Sequence, residues 1–97
     1  MKTDYEIKVG ESFQFELDTN PSTGYSWNWS NQQSVSIVEL TDKKFISNRP
    51  NGPGAGGMET WFFKGLKSGS DILKLEYKRG WETGPAVKVI SINVTVK

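Results

Sequence analysis

Phe13-Gln14-Phe15-Glu16-Leu17, then Asn20-Pro21-Ser22-Thr23-Gly24, then Tyr25-Ser26-Trp27-Asn28-Trp29: two runs of alternating apolar and polar residues flank a short polar segment. Side chains of an extended chain point to opposite faces in turn, so each run buries one face and wets the other. The polar segment joins two strands. A two-residue turn of Asn-Gly type is enough to reverse a chain. This connection contains a proline, two hydroxyls and a glycine, and reads as a loop built to present something.

The same period recurs along the chain. Tyr5, Ile7 and Val9 alternate with Glu6 and Lys8, and further runs cover 34–40, 43–47, 60–64, 72–78 and 86–96. In the last run Val87 and Val89 share one phase while Ile90, Ile92, Val94 and Val96 take the other, which predicts a bulge or a switch between sheets near Val89-Ile90. All four prolines, and every glycine but Gly65, fall in the predicted gaps. No segment carries a helical apolar stripe. Seven to eight short strands in 97 residues predict an all-β fold, an immunoglobulin-like antiparallel β-sandwich forming a single domain over residues 1–97. Tyr25 and Trp27 read as core residues, and Trp29, Trp61, Phe62 and Phe63 as core or sheet-covering ones.

Composition removes several classes of function. Hydrophobic residues are only 35% of the chain, but four Trp, five Phe and three Tyr supply large buried areas. The formal net charge is +1 with both signs interspersed, so neither nucleic acid nor an anionic membrane is an expected partner. With no Cys the fold has no disulfide and no thiolate metal site; with no His it lacks the commonest general base, metal ligand and triad member. No enzyme, cofactor or metal is expected. Residues 1–6 contain no apolar core of about seven or more residues, and nowhere do about 18 apolar residues run together. A soluble, monomeric, cytoplasmic protein is the expectation.

Two further connections stand out. Asn48-Arg49-Pro50-Asn51-Gly52-Pro53-Gly54-Ala55-Gly56-Gly57 is far longer than a hairpin needs, and Arg79-Gly80-Trp81-Glu82-Thr83-Gly84-Pro85 sets a Trp in a glycine-rich turn. A large ring in such a turn is a contact candidate. In a seven-strand sandwich the second, fourth and sixth connections emerge at the same end, so the three loops are predicted to form one surface.

These loops carry a resemblance. Asn20-Pro21-Ser22-Thr23-Gly24-Tyr25-Ser26-Trp27, Gly54-Ala55-Gly56-Gly57 and Arg79-Gly80-Trp81, in this order and spacing, resemble the three loop motifs of the chagasin family of cysteine protease inhibitors. Ser22 stands where the family pattern has Thr, and Gly80 where it has Pro between Arg and Trp, exchanging a fixed φ for a free one. The resemblance implies an immunoglobulin-like inhibitor of papain-like (cathepsin-type) proteases, reversible and tight-binding, with no catalytic residue of its own. Its protease-binding residues would be Asn20, Pro21, Ser22, Thr23 and Gly24 as a central wedge, Gly54, Ala55, Gly56 and Gly57 along one cleft wall, and Arg79, Gly80 and Trp81 against the other.

Other readings make distinct demands. A non-catalytic adhesion or carbohydrate-binding module would need Trp29, Trp61 and Trp81 coplanar and exposed. A hydrolase would need a nucleophile elbow or a Ser-x-x-Lys pattern, and neither is present. Gly52-Pro53-Gly54-Ala55-Gly56-Gly57 matches G-x-G-x-x-G, but Met58-Glu59-Thr60-Trp61-Phe62-Phe63 follows as a strand pattern, so no helix N-terminus would meet a pyrophosphate. Asn28-Trp29-Ser30 and Asn93-Val94-Thr95 match the glycosylation pattern inside predicted strands, and no attachment is expected there.

Overall fold

The period-two runs become strands: β1 Asp4–Ile7, β2 Ser12–Thr19, β3 Tyr25–Trp29, β4 Val38–Ser47, β5 Gly57–Gly65, β6 Gly69–Arg79 and β7 Lys88–Val96. The computed structural model describes residues 1–20, 23–47, 56–80 and 84–97. One sheet has the order β1-β7-β6-β3 and the other β2-β5-β4, the strand arrangement of an immunoglobulin-like sandwich. Four of the pairings are antiparallel, while β1 lies parallel to β7.

Alternation explains the core. Phe13, Phe15 and Leu17 of β2 meet Trp27 and Trp29 of β3, Leu73, Leu75 and Tyr77 of β6, and Ile92, Val94 and Val96 of β7, all of them buried. Phe63 of β5 sits at the centre with no exposed surface. Phe13 and Phe15 stack on it at 5.4 Å between centroids, and Trp29 meets it edge-on at 5.2 Å. Such ring pairs add about 0.5–1.5 kcal/mol each beyond the area they bury. The core therefore reaches stability without a disulfide.

Two expectations need correction. The runs 34–40 and 43–47 are not two strands. Residues Gln32–Ser34 form a 3-10 turn, and β4 then runs unbroken through an irregularity between Leu40 and Asp42. Ile37 and Val38 are both buried neighbours, which no regular strand allows, so Ile37 stays outside the ladder. At the bulge the Thr41 hydroxyl donates to the Phe62 carbonyl oxygen at 3.2 Å.

The last strand has no bulge at Val89-Ile90, because its register against β6 runs without a shift from Gly69↔Val96 to Tyr77↔Lys88. Val87 and Val89 simply face solvent at 59% and 60% exposure. Lys88 has the phase of the core-facing residues but stays exposed at the sandwich end, laying its ammonium 5.7 Å from the Tyr77 ring centroid. The apolar phase change marks exposed valines rather than a switch of sheet.

An aromatic platform is also ruled out. Trp29 is 9% exposed and Trp61 1%, so neither can offer a ring to a sugar, and the adhesion reading loses its surface. The glycine-rich segment runs into β5 and not a helix, as the strand pattern predicted. Asn28 and Asn93 both lie in strands, and the Asn93 amide donates to Asp4 Oδ1 at 2.8 Å, joining β7 to β1.

Candidate functional site

Strand polarity decides where the three connections go. β2, β4 and β6 run toward one end of the sandwich, and β3, β5 and β7 run back from it. The last rungs there are Thr19↔Gly57↔Ser47 in one sheet, and Tyr25↔Arg79 and Tyr77↔Lys88 in the other. Connections 20–24, 48–56 and 80–87 therefore leave from the same end.

The first of them is built around the backbone of one residue, Asn20. The Asn20 carbonyl oxygen accepts from the Thr23 amide at 3.2 Å and from the Thr23 hydroxyl at 2.8 Å. Its N–H donates across the sandwich to the Tyr77 hydroxyl oxygen at 3.1 Å. One residue before β3, Gly24 takes φ +79°, a left-handed value that favours glycine. The Thr23 hydroxyl proton is thus used within the loop.

Gly57 turns out to be structural. It pairs with both Thr19 and Ser47, and a Cβ there would run into the Ile46 carbonyl oxygen and lie 2.8 Å from the Phe45 ring. Gly56, one residue out, would bring a Cβ to 3.3 Å from the Thr19 carbonyl oxygen. The glycines let the second connection approach the foot of the first.

Arg79 closes the third side. Its guanidinium lies 4.6 Å from the centroid of its rung partner Tyr25, and Nε–H donates to the Thr23 carbonyl oxygen at 3.4 Å. Gly80 is exposed, and a Cβ added to it would meet nothing within 4 Å. The structure thus gathers Asn20, Thr23, Gly24, Gly56, Gly57, Arg79 and Gly80 at one end. Pro21, Ser22, Gly54, Ala55 and Trp81 lie outside the described residues.

Sequence reasoning missed Tyr77, whose hydroxyl anchors Asn20, because its place in the β6 alternation marked it only as core. It also missed Phe45 and Ile46, which stay 44% and 66% exposed where β4 ends beside the site. Two successive apolar residues in a strand must face opposite ways, and that was the available signal.

The sequence pattern described as "Chagasin family peptidase inhibitor I42" matches residues 6–96. The chain belongs to the chagasin family. It is 30% identical over 83 residues to chagasin of Trypanosoma cruzi, covering 82% of this chain and 74% of that protein. It is 35% identical over 80 residues to amoebiasin-2 of Entamoeba histolytica, 80% of this chain but only 63% of that longer protein. Among solved structures, the cysteine protease inhibitor EhICP2 from Entamoeba histolytica superimposes with a TM-score of 0.82 at 27% identity, covering 99% of this chain and 87% of that one.

Proposed function

We infer that this chagasin-family protein is a reversible, tight-binding, monomeric inhibitor of papain-like cysteine proteases that occludes the active-site cleft with three loops. One observation carries the reading: the connections holding the three motifs leave from one end, and Arg79 of the third reaches the Thr23 carbonyl of the first. The relative EhICP2, itself a cysteine protease inhibitor, supports the class of target.

A papain-like site is a cleft containing a thiolate–imidazolium pair, and a substrate enters it extended with its scissile carbonyl at the sulfur. A preset wedge fills that cleft without offering such a carbonyl. Pro21 narrows the backbone of the 20–24 loop and biases Asn20 toward extended geometry. The Asn20–Thr23 hydrogen bonds fix its base. Ordering before binding saves roughly 0.5–1.5 kcal/mol for each side chain that would otherwise be immobilised. The glycine segment would lay backbone along one wall, and Trp81 would stack on the other. A footprint of about 800 Å² per partner is usual for protease–inhibitor pairs.

Titration against papain and trypsin tests this. Stoichiometric, reversible loss of papain activity with trypsin untouched is the expected result. Undiminished papain activity at micromolar inhibitor overturns it.

A further inference from the structure

β2 ends at Thr19, so the Asn20 amide lies one residue beyond the last rung, Thr19↔Gly57, and is partly buried. An unpaired amide there would cost about 1–3 kcal/mol. The phenol of Tyr77 supplies the acceptor from the opposite sheet, 57 positions away. The ring that carries it is held on three sides. It stacks on Tyr25 at 5.4 Å, lies 4.9 Å from its rung partner Trp27, and has the Lys88 ammonium over it. Two residues on, Arg79 binds the other foot of the same loop at the Thr23 carbonyl. Asn20 and Thr23 are themselves bonded to each other, so β6, through Tyr77 and Arg79, closes a ring of hydrogen bonds around the base of the 20–24 loop.

We propose that Tyr77 is a positioning residue for inhibition, its hydroxyl presetting the 20–24 loop through the Asn20 backbone. Tyr77 is only 8% exposed, so it acts through the loop and not by touching the protease. The proposal rests on the reading that this loop enters the protease cleft.

Tyr77→Phe removes the hydroxyl and keeps the ring. Papain inhibition should weaken about tenfold, the worth of one hydrogen bond lost before binding. The Asn20 amide should exchange its hydrogen faster, while the Phe63 and Ile92 amides in the core exchange as in the wild type. Equal inhibition by Tyr77→Phe and an active wild-type protein overturns the positioning role. So does a uniform rise in exchange across the core, which marks a merely structural residue. A wild type that fails to inhibit papain sinks the functional reading instead, and exchange at Asn20 still reports whether the phenol holds the loop. Should Tyr77→Phe not fold, the wild-type amide decides: protection at Asn20 supports the proposal, and exchange at the rate of a free peptide overturns it.

Discussion

Arg79 and Thr23 are 56 positions apart in sequence, and the Arg79 Nε–H donates to the Thr23 carbonyl oxygen at 3.4 Å. The same guanidinium covers the Tyr25 ring. A planar group with donors at its edge does both at once; a lysine ammonium is a point charge that does one or the other. Arg79→Lys is therefore expected to weaken papain inhibition nearly as much as Arg79→Ala, on the order of 1 kcal/mol each. The urea midpoint should move little. Full inhibition by the lysine variant would show that charge alone is what this position supplies.

Gly57→Ala should destabilise the fold rather than the complex. The added methyl meets the Ile46 carbonyl oxygen and the Phe45 ring, and a backbone oxygen in a paired strand cannot step aside cheaply. Overpacking of this kind costs about 1–3 kcal/mol. Urea unfolding measures it, with Gly80→Ala as a control that is expected to stay within about 0.5 kcal/mol. Equal midpoints for the two variants would contradict the close approach at Gly57.

Gly80→Pro restores the residue that the chagasin pattern has between Arg and Trp. Gly80 is not among the glycines with positive φ, its added Cβ meets nothing, and Arg79 before it already has the extended backbone that a following proline favours. Proline at a compatible site stabilises by roughly 0.4–1 kcal/mol through the unfolded chain. The inhibition constant against papain should fall a few-fold. A weaker inhibitor would mean that this loop uses freedom or an N–H that proline removes.

Much of this was legible in the sequence, and the parts that were not share a cause. Alternation identified the strands because one face of each is buried, and it placed Trp27, Trp29 and Trp61 inside. It failed where polarity and strand phase part company: Val87 and Val89 are apolar yet exposed, while Lys88, itself exposed, takes the phase of the core residues and lays its ammonium over Tyr77. It failed again at Ile37-Val38, where two buried neighbours need a turn, not a longer strand. The loop motifs located the candidate site, but the clamp beneath it was invisible. Tyr77 meets Asn20 only once the two sheets face each other, and no local pattern encodes that.

Alkaline stability should depend on Tyr5. Burial against Phe13, 4.9 Å away between ring centroids, raises its pKa above the usual tyrosine value. A raised folded-state value favours the neutral phenol, so this share of stability is whole below the unfolded value of about 10 and is lost as pH climbs through the folded one. Urea midpoints should decline above pH of about 10, and Tyr5→Phe should remove part of that decline. Parallel curves for the two proteins would refute the assignment.

The four tryptophans allow a direct test of where a protease binds. Three are enclosed and have their indole N–H bonded: Trp27 to the Asp18 carbonyl oxygen at 2.9 Å, Trp29 to Asn31 Oδ1 at 2.9 Å, and Trp61 to Glu59 Oε1 at 2.6 Å. Binding at the loop end should leave these three environments unchanged, whereas a Trp81 that stacks on the protease should change its own. With 5-fluorotryptophan in the inhibitor, the fluorine resonance that Trp81→Phe deletes should be the one that shifts most on adding papain. Trp81→Ala should then cost on the order of 2 kcal/mol in binding, as an interface hot spot does, with an unchanged urea midpoint. If that resonance stays fixed at saturation, or the alanine variant inhibits fully, Trp81 leaves the interface and the second wall of the cleft must be met by the backbone of the third loop.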